Sequence, residues 1–202
     1  MFQEMHLHAI ILRNRGILMN QKIKIQTEGT PNPNALKFVL DKVLVQTGSY
    51  NFPDKEKCEN SPLAKRLFEI SSVKEILISK NFITVTKEQN TNWDNIYNSV
   101  VEAINKHFEA NEEIILKTEQ ANSNGEMSDI VKKIHEILDN QIRPAVASDG
   151  GDIIFDSYED GIVKLHLQGA CSSCPSSIMT LKAGVESMLK RAIPEIKEVV
   201  SV

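Results

Sequence analysis

The sequence predicts an α+β chain of two small α/β-sandwich domains joined by a flexible linker. Three observations carry this. Residues 117–127 (Lys-Thr-Glu-Gln-Ala-Asn-Ser-Asn-Gly-Glu-Met) hold almost no apolar side chains and read as a linker. On both sides of it, runs with the two-residue period of a strand alternate with runs of helical period. Asp160-Gly161 lies between two strand-like runs, a strong hairpin signal, and sets the order helix, strand, strand, helix, strand for the second half. The first domain is therefore placed at residues 20–116, the linker at 117–127 and the second domain at 128–202. No internal repeat relates the two domains.

In the first domain, Lys22-Ile-Lys-Ile-Gln26 is a strand pattern with Ile23 and Ile25 on one face. Thr30-Pro-Asn-Pro-Asn34 must be a loop, because its two prolines remove donors and fix the backbone. Ala35 to Leu40 reads as a second strand. Ser61-Pro62 starts a helix, with serine as cap and proline in the first turn. Leu63, Leu67 and Ile70 form its apolar stripe, with Phe68 at the edge. Lys74 to Ser79 and Phe82 to Lys87 form a hairpin across Lys80-Asn81. Trp93, Ile96, Tyr97, Val100, Val101, Ile104 and Phe108 make a helical stripe whose aromatics read as core.

In the second domain, Ser128 caps a helix whose buried face is Ile130, Ile134, Ile137 and Leu138, with Val131 beside them. Asp149-Gly-Gly-Asp152 is a tight loop, with both aspartates as turn formers. Ile153 to Ser157 and Ile162 to Gln168 are the hairpin strands, the second with Val163, Leu165 and Leu167 on one face. The helix after Pro175 carries Ile178, Leu181, Val185, Met188 and Ala192 at helical spacing. Pro194 stops it, and Ile196 to Val202 is a last strand.

With 41% hydrophobic and 25% charged residues, the composition is that of an ordinary globular protein. A net charge of −4 gives no general reason to expect nucleic acid or an anionic membrane as partner. No apolar run reaches transmembrane length. Three cysteines, two of them in a CxxC, point to a reducing compartment rather than a disulfide framework. Met1 to Leu18 is a poor secretory signal, because its apolar run is short and no cleavage site follows. Arg13 and Arg15 give it a weak mitochondrial-presequence character, and Met19 is an alternative start. Dense Ile, Lys and Asn usage fits an AT-biased bacterial genome. The expected location is the bacterial cytoplasm, with the mitochondrial matrix as the alternative.

The chemistry concentrates in Cys171-Ser-Ser-Cys174-Pro175, between a strand and a helix. Pro175 suits the first helical position, where its missing N–H costs nothing, so Cys174 becomes the N-cap. The helix N-terminus then favours thiolate, the form that binds metal and attacks disulfides. Iron–sulfur clusters take four thiolates as a rule. One chain offers two here, so a closed site needs Cys171 and Cys174 from two copies. A dithiol oxidoreductase shares the local context, but the hairpin before the motif argues against a parallel βαβ unit, and no tryptophan precedes the pair. Zinc held by four thiolates in a dimer remains open.

Other groups are weaker. Cys58 lies in a polar stretch and reads as a surface thiol outside the site. His135-Glu136 lacks a second histidine at helical spacing, and His166 points to solvent with Lys164 and Gln168. His6 and His8 lie in the leader. No phosphate loop, Ser–His–Asp order or G-x-G-x-x-G appears, so no catalytic residue is assigned and the chain is expected not to be an enzyme.

Leu138 to Asp152 and Leu167 to Ser177 together resemble the C-terminal NifU domain of Nfu-type iron–sulfur proteins. Thr30-Pro-Asn-Pro-Asn-Ala-Leu-Lys-Phe38 and Ser61-Pro-Leu-Ala-Lys-Arg-Leu-Phe68 resemble the N-terminal domain of the same proteins. The likeness runs from residue 22 to 202, leaving out the leader and the polar Asn51 to Asn60 segment. It implies a scaffold or carrier that takes a [4Fe-4S] cluster, or a [2Fe-2S] cluster, bridged between two subunits by Cys171 and Cys174. It also implies upstream cluster-assembly proteins and apo iron–sulfur clients as partners, and a homodimer when the cluster is bound. The N-terminal domain would bind no cluster and would serve partner recognition.

Overall fold

The computed structural model describes residues 23–116, 128–172 and 175–202, with backbone alone at 175–177. The leader with His6 and His8, the linker at 117–127, and Ser173 and Cys174 lie outside the described residues.

The first domain runs β1 (Ile25–Gly29), β2 (Ala35–Leu40), β3 (Tyr50–Phe52), α1 (Pro62–Phe68), β4 (Val73–Ile78), β5 (Phe82–Lys87) and α2 (Trp93–Glu109). Its strands form one antiparallel sheet in the order β1-β2-β5-β4-β3. Side chains alternate across the pleat. One face, with Phe38, Leu40, Ile76, Ile78, Ile83 and Val85, packs under Leu63 and Leu67 of α1 and Val100 and Ile104 of α2. Ser61 caps α1 as expected: its Oγ accepts from the Ala64 N–H at 3.1 Å and donates to the Ile114 carbonyl at 2.7 Å. The hairpin across Lys80-Asn81 also forms, closed by the Ser79 N–H on the Phe82 carbonyl at 2.9 Å.

Several expectations need correction. The first strand begins at Ile25, although Ile23 is still buried in the core. Strand β3 was not read, because three residues flanked by polar neighbours carry no alternation. Tyr97 lies at the margin of the core, 37% exposed, with its hydroxyl 3.1 Å from Thr27 Oγ1. Cys58 is not a surface thiol. It is buried among the core side chains, donates to the Lys55 carbonyl at 2.9 Å, and has its pKa raised by burial. The polar run that holds it folds as a single 3-10 turn, Lys55–Lys57, which turns the sulfur inward.

The second domain runs α3 (Asp129–Ile137), a π-turn at Leu138–Ile142, α4 (Arg143–Ser148), β6 (Gly151–Glu159), β7 (Ile162–Gly169), α5 (Pro175–Ala192) and β8 (Glu198–Ser201). Ser128 caps α3 through the Val131 N–H at 3.3 Å. The helical path continues to Ser148, past the end expected from the apolar stripe. Pro144 has no N–H to give four residues back, and a widened turn just before it accommodates the missing bond. Asp160 and Gly161 have φ of 51° and 86°, the two left-handed residues that a tight hairpin turn requires. The apolar face of α5 rests on Val185 and Leu189, while Met188 is 44% exposed and Pro194 follows the helix end as expected. Strand β8 pairs with β7 in parallel, so β7-α5-β8 is a parallel crossover. The topological objection to a dithiol oxidoreductase therefore falls; the hairpin partner β6 lies on the other side of β7.

His107 on α2 is fully buried. Burial lowers its pKa, and this outweighs the opposing pull of Glu112, 3.5 Å from Nδ1. The unfolded chain gains a proton near the ordinary imidazole value of about 6.5, while folding keeps the ring neutral below it. The unfolded state then binds more protons, so stability falls as the pH drops through that value and is fully present above it. Urea unfolding of the full chain at about pH 7.5 and about pH 5.5 should show this loss, and His107→Leu should reduce it.

Candidate functional site

The cysteine loop is built by the end of β7. Gly169 has φ of 65°, which turns the chain out of the sheet. The Ala170 N–H then donates to the Gly150 carbonyl at 3.2 Å, and the Ser172 N–H to the Gly169 carbonyl at 3.1 Å. Cys171 is held in this turn, 5% exposed. Pro175 is the first residue of α5, as the sequence predicts. The expected cap, Cys174, lies outside the described residues.

The two glycines facing this turn have separate roles. Gly150, with φ of 79°, allows the chain to leave α4 and enter β6. A Cβ on Gly151 would lie 2.5 Å from Cys171 Sγ and 3.0 Å from the Gln168 carbonyl oxygen. The sulfur thus occupies the space that a side chain at 151 would need. Asp149 does cap the end of α4. Asp152 is no turn former: it lies in β6, 6% exposed, accepting from its neighbour Ile153 N–H at 2.7 Å. Arg143 Nε sits 3.3 Å from the same oxygen, and Ser49 Oγ of the first domain donates to the other. Asp152 therefore fixes the glycine loop from both domains.

Sequence reasoning missed that the first domain reaches this site. Glu75 on β4 accepts from the Gly169 N–H at 3.3 Å and from Ser172 Oγ at 2.8 Å. Asn32, in the Thr30-Pro-Asn-Pro-Asn34 loop, donates from Nδ2 to the Ala170 carbonyl at 3.3 Å. Leu77 fills the space over Gly169, where an added Cβ would meet Leu77 Cδ2 at 2.6 Å. Leu77, Thr84 and Thr86 alternate with the core residues of β4 and β5, and their near-complete burial shows in the structure and not in the sequence pattern.

A cavity of about 450 Å³ adjoins Cys171, walled by Ile142, Val146, Leu181, Val185 and Met188 and rimmed by Pro31 of the first domain. His166 and His135 stay outside the site chemistry. His166 is half-exposed, with Nδ1 2.9 Å from the Val202 carbonyl and Nε2 3.2 Å from Asp156. His135 lies against the Phe155 ring, centroids 4.8 Å apart. Among the described residues, no three His, Cys, Asp or Glu side chains converge to hold a metal ion. No helix among them is long and apolar enough to cross a membrane.

The glycines make a direct test of this packing. Gly151→Ala should lower unfolding free energy by about 1–3 kcal/mol, because sulfur and backbone must both shift. Gly184→Ala, inside α5 with nothing near its Cβ, should raise it by about 0.5–1 kcal/mol. Denaturant unfolding of the two variants reads both signs.

Residues 25–111 match the family model described as the scaffold protein Nfu/NifU N terminal, and residues 134–200 match the NifU-like domain. The NFU1 iron-sulfur cluster scaffold homolog, mitochondrial, of Homo sapiens is 43% identical over 178 residues, covering 87% of this chain and 70% of that protein. Its namesake from Drosophila persimilis is 46% identical over 180 residues, covering 87% of this chain and 64% of that protein. Both names carry the mitochondrial label, the alternative of the two expected locations; neither supports the bacterial cytoplasm. The solution structure of a NifU-like protein from Saccharomyces cerevisiae aligns with a TM-score of 0.45 at 24% identity, over 51% of this chain and 92% of that one. With both domain types present in order along one chain and relatives this similar, the protein belongs to the Nfu/NifU family of scaffold proteins.

Proposed function

We propose that this chain carries a labile [4Fe-4S] cluster, held between two copies by Cys171 and Cys174 of each, and hands it to apo iron–sulfur proteins. The observation that carries the reading is the ligand count at the cysteine loop. One chain supplies two thiols in this motif, Cys171 in the turn before α5 and Cys174 next to Pro175 in the sequence, and among the described residues no group of three possible metal ligands gathers. Four thiolates then require a second chain. The two helix N-termini would face an anionic cluster, the favourable end of each dipole. The absence of a side chain at Gly151 lets the Cys171 sulfur pack there, and a largely apolar cavity adjoins that thiol. A two-chain site opens by separation of the copies, which suits delivery better than permanent electron transfer. The cluster is cargo, passed on by ligand exchange to a client with more or better-placed thiolates, and no bond in a substrate is changed. Upstream assembly proteins would load it, and the relatives' names favour a mitochondrial setting.

The parallel β7-α5-β8 crossover keeps a second reading in view, that of a dithiol–disulfide oxidoreductase. Reduction of insulin disulfides by the reduced, metal-free protein separates the two.

Cys171→Ala and Cys174→Ala should each abolish cluster uptake after anaerobic incubation with iron and sulfide, read by visible absorbance and iron content. Cys58→Ala should retain uptake, because its thiol is buried in the core of the first domain. Full cluster retention in either of the first two variants would refute the assignment.

A further inference from the structure

We infer that the first domain is a cap that closes over the cysteine loop of its own chain when no cluster is bound, and that it must lift before a cluster can bridge two copies. The second clause rests on the proposed cluster role; the closure itself stands on the geometry of the chain alone.

The capping surface is the outer face of the five-stranded sheet. Register aligns two rows of side chains across it. Ala35, Thr86 and Glu75 form one, and Lys37, Thr84, Leu77 and Asn51 the other. None of these belongs to the core beneath α1 and α2. A sheet face without a covering layer would leave them exposed, yet Leu77 and Thr84 are completely buried and Thr86, Glu75 and Lys37 nearly so. What covers them is the second domain's glycine loop and cysteine loop. A Cβ on Gly150 would meet Thr30 Cγ2 at 3.0 Å and Thr84 Oγ1 at 3.1 Å, and Gly169 is pressed as closely on Leu77. Lys37 Nζ donates to the Ser148 carbonyl at 3.4 Å while pairing with Glu28 at 2.9 Å.

The Thr30-Pro-Asn-Pro-Asn34 loop gains a role in the same way. Thr30 Oγ1 donates within the loop to the Asn32 carbonyl at 2.9 Å and to the Ala35 carbonyl at 3.0 Å. Trp93 Nε1 and Lys87 Nζ tie it down through the Pro33 carbonyl at 3.3 Å and Asn34 Oδ1 at 2.8 Å. The loop is thereby stiffened, with Asn32 aimed at the carbonyl next to Cys171.

Closure and cluster binding oppose each other. A cluster shared by two chains needs the Cys171 sulfur to face the second copy. Here Cys171 is buried in the core of its own domain, and the first domain closes both flanks of its turn, through Asn32 on the Ala170 carbonyl and Glu75 on Gly169 and Ser172. An iron–sulfur cluster with four thiolates is anionic, and the closed form places the nearly buried Glu75 carboxylate on Ser172, the residue after Cys171. Like charges held close in a poorly hydrated site repel strongly. The cap contacts are also mostly polar, the character of interdomain surfaces that separate. Loading would therefore lift the cap and free the outer face of the sheet.

The test uses the full chain, reduced and metal-free. The reaction of Cys171 with a bulky maleimide is followed by peptide mass, and the radius of gyration by X-ray scattering. In the unaltered chain Cys171 should be protected relative to the denatured chain and the particle compact. Leu77→Glu, on the outer face away from the first domain's core, should speed Cys171 modification at least about tenfold and enlarge the particle. Ser172→Ala, which removes a donor to Glu75 from the other domain and leaves the first domain intact, should act in the same direction more weakly. Cys171 reacting in the unaltered chain as fast as when denatured would overturn the proposal. So would a Leu77→Glu variant with unchanged rate, or with a faster rate at unchanged size. None of these readings involves iron, so failure here is distinguishable from failure of the cluster assignment.

Discussion

Everything at the site depends on the Cys171 sulfur occupying the space that a side chain at position 151 would need. That constraint fixes the glycine loop between α4 and β6, because the backbone there must approach the cysteine turn closely. It brings the end of β7 within hydrogen-bonding reach of Gly150. It also explains why Asp152 is buried: the carboxylate accepts from its neighbouring N–H, lies against Arg143 and takes the Ser49 hydroxyl, so the strand that carries Gly151 cannot slide. The loop is thus held by backbone and side-chain contacts.

The same economy extends across the domain boundary. Both faces of the five-stranded sheet are used, one under helices and one against the cysteine loop. The two faces differ in chemistry for a physical reason. The inner one packs under α1 and α2 and is aliphatic and aromatic, whereas the outer one carries Lys37, Glu75, Thr84 and Thr86, groups that tolerate water when the domains part. An interface with a few close apolar fits, such as Leu77 on Gly169, and several hydrogen bonds can be specific without being permanent.

Elements with local signals were legible in the sequence. Ser61-Pro62 and Ser128 fixed two helix starts, Asp160-Gly161 fixed a hairpin, and Pro175 and Pro194 bracketed α5, because capping hydroxyls, left-handed turn residues and prolines act within a few residues of themselves. The turn that holds Cys171 just before α5 was legible for the same reason, while Cys174 lies outside the described residues. What escaped was set at long range. Cys58 turns inward because a short 3-10 turn folds onto a core formed by residues far along the chain. The parallel pairing of β8 with β7 depends on how α5 returns to the sheet. Glu75 meets Ser172 across 97 residues, and no local pattern encodes that contact. In α5 the stripe was read onto Met188, where Leu189 is the residue fully buried, since both fit a helical period and only the shape of the opposing sheet decides between them.

The central claim is a four-thiolate site completed by two chains, and its most direct test joins a spectrum to a mass. The protein would be rebuilt anaerobically with iron and sulfide, and Mössbauer spectra and solution mass recorded on the same sample. The account predicts a [4Fe-4S] signal at about one cluster per two chains, with the cluster-free protein returning toward monomer. No iron uptake, or a full cluster on a single chain without association, would contradict it.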